Sequence, residues 1–119
     1  MDADWKKEIS AQIDDLVGFG YSLRDATDDA ERIALFVAIR NRARLARGRL
    51  LEVPREPSTR SELISSYDAS LAEIERQAAF LVDGFPELRY PDRWVREMAQ
   101  ATANASAIKD ALLALDIGA

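Results

Sequence analysis

The residues best suited to chemistry are arginines, because seven of them lie in one short stretch of the chain. Each guanidinium presents forked N–H donors that match the oxygens of a carboxylate or a phosphate. The seven are Arg40, Arg42, Arg44, Arg47, Arg49, Arg55 and Arg60. The whole chain has a net charge of −5, but residues 32–60 carry +6, with −6 before them and −5 after them. The sequence therefore predicts a basic patch that either pairs with the chain's own acids or binds a negatively charged partner.

Three of these arginines share one face of the predicted second helix. Arg40, Arg44 and Arg47 fall within an arc of roughly 60° when a helix has 3.6 residues per turn. That arc continues the apolar line of the first half of the helix. We therefore expect the core-facing side to change from aliphatic to arginine about halfway along. Arg42 and Arg49 lie on the opposite side of the helix.

Two interpretations of these arginines remain open. They form a binding surface for an anion or an acidic partner, or they lie over the edge of the fold and pair with acids of neighbouring helices. The flanking segments supply several such acids, namely Asp14, Asp15, Glu73, Glu75 and Asp83. Internal pairing is the simpler interpretation, because charge runs usually form solvated helix faces.

A second candidate surface is the connection from Phe85 to Trp94, which is unusually aromatic for a link between helices. Arginine and aromatic side chains are the types that most often anchor protein interfaces. We expect Phe85 and Trp94 to cover the end of the core and Tyr90 to be exposed. Arg89, Tyr90 and Arg93 are therefore predicted binding residues.

No residue pattern supports catalysis or a metal site. The chain has no cysteine and no histidine, which removes disulfides, thiolate chemistry, the usual zinc ligands and the commonest general base. Asp25, Asp28, Asp29 and Glu31 suit helix capping, and no Glu-x-x-Glu motif accompanies them. We therefore predict no catalytic residue, no metal and no cofactor.

Helical periodicity dominates the sequence, with apolar residues three and four positions apart. The first helix is predicted over residues 5–17, and we expect Gly18-Phe19-Gly20 to interrupt it because glycine weakens helices. The second helix is predicted to begin at Asp28, which forms a capping box with Glu31, and to run to about Glu52.

The third helix is predicted to begin at Thr59, with Glu62 completing a capping box, and to end at Gly84 in the left-handed conformation. Its buried stripe is predicted at Ile64, Tyr67, Leu71, Ile74, Ala78 and Leu81. The fourth helix is predicted to begin near Asp92. Its stripe is Trp94, Met98, Ala101, Ala105, Ile108, Leu112 and Leu115.

These four helices predict an all-α protein, an antiparallel four-helix bundle formed by a single helical domain over residues 1–119. Shifting the sequence by 65 residues aligns several apolar positions, such as Leu16 with Leu81. We interpret this match as chance among apolar helix positions. A genuine repeat would make the bundle two helical hairpins joined at Pro54–Pro57.

We expect a small acidic, non-catalytic protein that binds another macromolecule, with a protein as the expected partner, in the manner of inhibitors, immunity proteins, antitoxins or phage anti-defence proteins. One alternative is nucleic-acid binding through the second helix, although the chain is acidic overall. Another alternative is an enzyme with an arginine-lined site for a small anion. The complementary basic and acidic faces also allow a homo-oligomer.

The sequence predicts a cytoplasmic protein without membrane contact. No apolar run approaches the roughly 20 residues of a membrane span. The acidic N-terminal residues lack the apolar segment of a secretory signal.

Overall fold

A computed structural model of the chain describes residues 4–53 and 58–114. Helices make up nearly all of this part, and no strand occurs within it. They are α1 (Asp4–Asp25), α2 (Asp29–Leu50), α3 (Ser58–Gly84) and α4 (Pro91–Ala114), with a 3₁₀ turn at Phe85–Glu87 before α4. The described residues confirm the predicted all-α fold.

The helices form an antiparallel four-helix bundle in which each helix packs chiefly against two others. α2 contacts α1 and α3, and α4 closes the bundle against the same two helices. Two ion pairs show the direction of the first pair of helices. Arg42 meets Asp15, whereas Arg49, farther along α2, meets Glu8, nearer the start of α1.

The α3 stripe predicted from the sequence lies at the centre of the core. Its six residues are at most 1 % exposed, namely Ile64, Tyr67, Leu71, Ile74, Ala78 and Leu81. Each of the other three helices adds buried side chains to the same cluster. The spacing of apolar residues thus correctly identified the face that α3 buries.

The α4 stripe is partly as predicted. Three of its residues are buried, namely Met98, Ala105 and Leu112, and three are half-buried, namely Trp94, Ala101 and Ile108. Val95 and Thr102 are buried as well, because α4 also packs closely against α1 on that side. Leu115 lies outside the described residues.

α1 runs without interruption through Gly18 and Gly20, so the predicted break there is wrong. A Cβ placed on Gly20 would lie 2.7 Å from Oγ1 of Thr102 and 3.4 Å from Cα of Ala99. Glycine at this position therefore lets α1 and α4 approach closely. Gly18 has no such neighbour. Packing of the apolar face of α1 on both sides outweighs the low helix propensity of the two glycines.

α2 begins at the predicted cap, but only half of the predicted capping box forms among the described residues, because the Glu31 side chain accepts no hydrogen bond from the Asp28 backbone N–H. Oδ1 of Asp28 accepts a hydrogen bond of 2.8 Å from the backbone N–H of Glu31 and so caps the helix. α2 ends at Leu50, two residues before the predicted Glu52, and a turn of backbone hydrogen bonds follows. Pro54–Pro57, the predicted junction between two hairpins, lies outside the described residues.

Gly84 ends α3 at the predicted residue, but its predicted left-handed conformation is wrong. Its φ is −111° and its ψ is −6°, and the 3₁₀ turn that follows redirects the chain instead. Within residues 4–53 and 58–114, positive φ occurs instead at Tyr90, at 57°, immediately before α4. α3 begins at Ser58, one residue before the predicted cap Thr59, and the side chains of both lie outside the described part.

Candidate binding surface

The arginines of α2 form two rows that pair with different neighbouring helices. On the α3 side, Nε of Arg44 donates to Oε2 of Glu75 at 2.9 Å, and Nη1 of Arg47 donates to Oε1 of Glu75 at 3.2 Å. Nε of Arg47 also donates to Oδ1 of Asp68 at 3.0 Å. Two guanidinium groups and two carboxylates thus form one network between α2 and α3.

This network shifts the pKa of two of its members. The hydrogen bond from Arg44 lowers the pKa of the Glu75 carboxyl, and the contacts of Arg47 act in the same direction, although burial opposes them. The hydrogen bond with Asp68 raises the pKa of Arg47. The folded protein therefore favours the charged form of both groups.

The second row consists of Arg42 and Arg49, which pair with α1. Nη1 of Arg42 lies 3.5 Å from Oδ2 of Asp15, and Nε of Arg49 lies 2.9 Å from Oε1 of Glu8. The interpretation as internal pairs therefore holds for both arginines of this row and for both arginines of the α3 network. Exposed pairs of this kind each contribute about 1 kcal/mol or less to stability.

The predicted core-facing arginine face is wrong. The core line of α2 continues through Ala43 and Ala46, which are at most 2 % exposed, and Arg44 and Arg47 each follow one position later. The arginines therefore flank the core line. Small alanine side chains fill the core positions, so α2 and its neighbours can approach closely.

Arg40 differs from the other predicted arginines of α2. Its Nε donates to the side-chain oxygen of the neighbouring Asn41 at 3.3 Å. It forms no ion pair with any acid in residues 4–53 or 58–114. Its charge is therefore not balanced by a contacting carboxylate in that part of the chain.

The aromatic residues of the α3–α4 connection lie where the sequence predicts. Phe85 is buried and packs edge-on against Phe36, with ring centroids 5.1 Å apart. Trp94 is half-buried against Phe80, with centroids 5.7 Å apart. Tyr90 is 71 % exposed. The connection thus closes the core with two rings and presents the third to solvent.

The two arginines beside Tyr90 differ in their contacts. Nε of Arg93 donates to Oε1 of Glu97 at 3.0 Å, one turn along α4. Arg89 is exposed and forms no ion pair within the described residues. Arg89 and Tyr90 are therefore open to a partner, whereas Arg93 already contacts a carboxylate.

A groove of about 310 Å³ between α1 and α4 contains further candidate residues. Arg24 and Arg96 line it from opposite helices, and both are exposed without an ion pair in the described part of the chain. Tyr21 is 61 % exposed, and the guanidinium carbon of Arg24 lies 5.9 Å from the centre of its ring. No local sequence pattern connects these residues, because the packing of α1 on α4 brings them together.

The groove continues into the surface around Tyr90. Arg96 lines both the groove and a shallow depression that includes Tyr90 and Arg93. A second depression joins Arg89 to the same two residues. We name the following set the basic end surface: Tyr21, Arg24, Arg89, Tyr90 and Arg96.

Arg32 contacts both the connection between α1 and α2 and the segment that leads from α3 into α4. Its Nη2 donates to the carbonyl of Ala26 at 3.2 Å and lies 3.6 Å from Oδ1 of Asp92. Its guanidinium carbon lies 5.9 Å from the centre of the Phe85 ring. The Arg32 side chain is 18 % exposed and that of Asp92 is 77 % exposed, so solvent screens the Asp92 contact more than the contacts with Ala26 and Phe85.

The fold and the site define a four-helix bundle at one end of which Arg24, Arg89 and Arg96 form no ion pair with a described carboxylate. Exposed acids, such as Asp25 and Asp92, lie at the same end. Within the described residues, no three acidic side chains are grouped so that they could hold a metal ion. No described helix is long and apolar enough to cross a membrane. Comparisons with protein-family models, curated proteins and solved structures find no match for the chain.

Proposed function

We propose that the protein is a non-catalytic binding module whose basic end surface holds an acidic segment of another protein. The observation that carries this proposal is a contrast between two groups of arginines. The α2 arginines Arg42, Arg44, Arg47 and Arg49 contact carboxylates of the chain itself. Within the described residues, Arg24, Arg89 and Arg96 contact none. These three lie beside two exposed tyrosines, and arginine and tyrosine are enriched among the residues that dominate interface energetics.

Charge would orient the partner before contact. The chain carries a net charge of −5, so most of its surface repels an acidic partner. Three guanidinium groups that contact no carboxylate of the described residues would attract such a partner to the basic end surface, and Arg40 carries a fourth on a different face. Such a module works by covering a surface of its partner, as an inhibitor, immunity protein, antitoxin or phage anti-defence protein does.

The two alternative functions both depend on α2. A nucleic-acid phosphate or a small anion bound there would have to displace carboxylates of α1 and α3 that already contact the guanidinium groups. Displacement of that kind costs free energy that binding at Arg24 and Arg96 does not require. The basic end surface is therefore the better-supported location for binding.

Peptide display on the full chain tests the proposed function. Selection from random peptides should enrich sequences rich in aspartate and glutamate. In fluorescence anisotropy, Arg24→Gln and Arg96→Gln should each weaken a selected peptide about two- to fivefold. Arg40→Gln removes another unpaired charge from a different face and is the matched control, which should bind as the wild type does.

Three results would count against the proposal. Selected peptides without an acidic bias would remove its chemical basis. Equal weakening by Arg40→Gln would show a general charge effect. Tighter binding of a labelled single-stranded oligonucleotide, reduced by Arg44→Gln and Arg47→Gln, would support nucleic-acid binding through α2 instead.

A further inference from the structure

We infer that the α1–α4 groove takes an amphipathic helix of the partner, with an aspartate or glutamate of that helix bound by Arg24 and Arg96. This inference rests on the proposed function and adds the shape of the partner. Three observations support it: the helical spacing of the groove residues, the hydrogen bonding of their backbone groups within α1 and α4, and the difference in polarity between the two ends of the groove.

Both walls of the groove follow helical spacing. α1 contributes Val17, Gly20, Tyr21 and Arg24. α4 contributes Arg96, Ala99, Gln100 and Ala103 to its wall, while its Thr102 lines the floor against Gly20. Each set occupies positions i, i+3, i+4 and i+7, which corresponds to two turns or about 10 Å. The side chains of a partner helix repeat with the same spacing, so two turns of it match this length.

The groove offers few backbone groups to an extended peptide. Its lining lies within α1 and α4, where most backbone N–H and C=O groups bond along their own helix. An extended segment would bury its own backbone polar groups without partners, which costs free energy. A helix satisfies its backbone internally and presents only side chains, so it suits this groove.

The two ends of the groove differ in polarity. Because α1 and α4 are antiparallel, Arg24 and Arg96 lie at one end, and Val17 and Ala103 lie at the other. Two unpaired guanidinium groups at the same end can share one carboxylate, which also relieves their mutual repulsion. The partner helix therefore needs apolar side chains on one turn and a carboxylate on the next.

The floor of the groove is formed before a partner binds. Gly20 lies so close to Thr102 that a Cβ on the glycine would be 2.7 Å from Oγ1. The same hydroxyl donates to the carbonyl of Ala99 at 2.8 Å. A floor packed this closely needs little rearrangement on binding, which keeps the ordering cost of association low.

Two labelled peptides with the same residue sequence and the same side-chain lactam test the inference. The first is a lactam-stapled helix with leucine and alanine at i, i+3 and i+4 and a glutamate at i+7. The second has the same residues, but two central D-amino acids prevent the helix. We expect the full chain to bind the stapled helix about tenfold more tightly in fluorescence anisotropy.

Filling the groove provides a second measurement. Ala103 is exposed, and leucine is a good helix former, so Ala103→Leu should preserve the fold while blocking the apolar end. It should weaken the stapled helix about tenfold. Ala107→Leu adds the same exposed side chain about one turn farther along α4 and should leave binding unchanged. Circular dichroism checks that both variants remain folded.

The outcomes separate this inference from the proposed function. Equal affinity for the two peptides, no binding of the stapled helix, or full binding by Ala103→Leu would overturn the helical partner. The proposed function would survive those results if display-selected acidic peptides still lost affinity with Arg24→Gln. Self-association of the full chain that the stapled helix blocks would identify a second copy as the occupant and would also overturn the inference.

Discussion

Nη2 of Arg32 lies 3.6 Å from Oδ1 of Asp92, so one ion pair joins the start of α2 to the start of α4. The same nitrogen donates to the carbonyl of Ala26, just after α1 ends. The link between α1 and α2 therefore meets the link between α3 and α4 through a single side chain. Arg32 positions the loop that presents Tyr90, although it is not itself part of the basic end surface.

Arg32→Ala should lower the free energy of unfolding by about 1.5–3 kcal/mol, because it removes a partly buried charged hydrogen bond and leaves the Ala26 carbonyl unpaired. Urea denaturation followed by circular dichroism measures the change. Arg76→Ala is the control, because Arg76 is exposed and its one ion pair among the described residues is with Glu73 on its own helix. That variant should lose about 0.5 kcal/mol or less. Equal losses would mean that Arg32 contributes only as a surface charge.

Glu75 should make stability depend on acid pH. The hydrogen bond from Arg44 lowers the pKa of the Glu75 carboxyl in the folded protein. The stabilisation from ionised Glu75 is therefore complete above its ordinary pKa of 4.5 and is lost as pH falls through the lowered pKa of the folded state. Glu75→Gln should therefore cost about 1 kcal/mol near pH 7, and the difference from wild type should shrink near about pH 3. Urea denaturation at the two pH values tests this.

The control for Glu75 is Glu62→Gln. Glu62 is exposed on the same helix and forms no ion pair within the described residues. Its substitution should change stability little at either pH. A difference between Glu75→Gln and wild type that stays constant down to about pH 3 would show that the network with Arg44 does not lower the pKa of the Glu75 carboxyl.

Gly20→Ala should destabilise the protein by about 1–3 kcal/mol, although alanine favours helices by about 1 kcal/mol over glycine. The reason is the added Cβ, which would lie 2.7 Å from Oγ1 of Thr102. Gly18→Ala is the control because its Cβ meets nothing within 4 Å, and it should gain about 0.5–1 kcal/mol. Thr102→Ala should restore part of the Gly20→Ala loss in a double-mutant cycle.

Tyr67→Phe should stabilise the protein by about 0.5–1.5 kcal/mol. The Tyr67 hydroxyl is buried without a hydrogen-bond partner among the described residues, and burial also raises the pKa of the phenol. Tyr67→Leu shows the opposite effect of lost volume and should cost about 2 kcal/mol or more. Thermal and urea denaturation measure both. A less stable phenylalanine variant would reveal a partner for the hydroxyl, such as a bound water.

Tyr90→Asn should separate stability from binding. Tyr90 has a φ of 57°, a conformation that asparagine tolerates better than a bulky side chain, so we expect a gain of about 0.5–1 kcal/mol in urea denaturation. The same change should weaken the acidic peptides of the binding assays, because it removes an exposed ring from the basic end surface. Tyr90→Phe keeps the strain and the ring, so both properties should remain near wild type.

Features that depend on one helix could be predicted from the sequence. The six-residue α3 stripe is buried as predicted, because helical spacing alone places those side chains on one face. The Asp28 cap depends on a local contact with Glu31 and is also confirmed. Tyr90 is exposed as predicted, since the other aromatic residues of the connection already cover the core.

Features that depend on how helices pack could not be predicted in this way. The sequence predicts that Gly20 breaks the helix, which is wrong. The glycine instead allows the close approach of α1 to α4, and this contact cannot be inferred from α1 alone. The burial of Ala43, one residue before Arg44, depends on where α3 packs against α2. For the same reason, the sequence did not identify Arg24 and Arg96 as binding residues. They are distant in sequence and line the same groove only in the packed bundle.

The two arginine rows of α2 have a consequence for its rotational register. The core-facing positions Ala43 and Ala46 are small, and exposed positions such as Ala34 and Leu45 are also uncharged. The large buried side chains Phe36, Ile39 and Leu50 fix the face of α2 that meets the core, whereas Ala43 and Ala46 between them add little apolar contrast. Turning the helix by one residue, about 100°, would separate the rows from their carboxylates on both flanks. Charge on both flanks therefore acts together with the buried stripe in setting the angle at which this helix sits in the bundle.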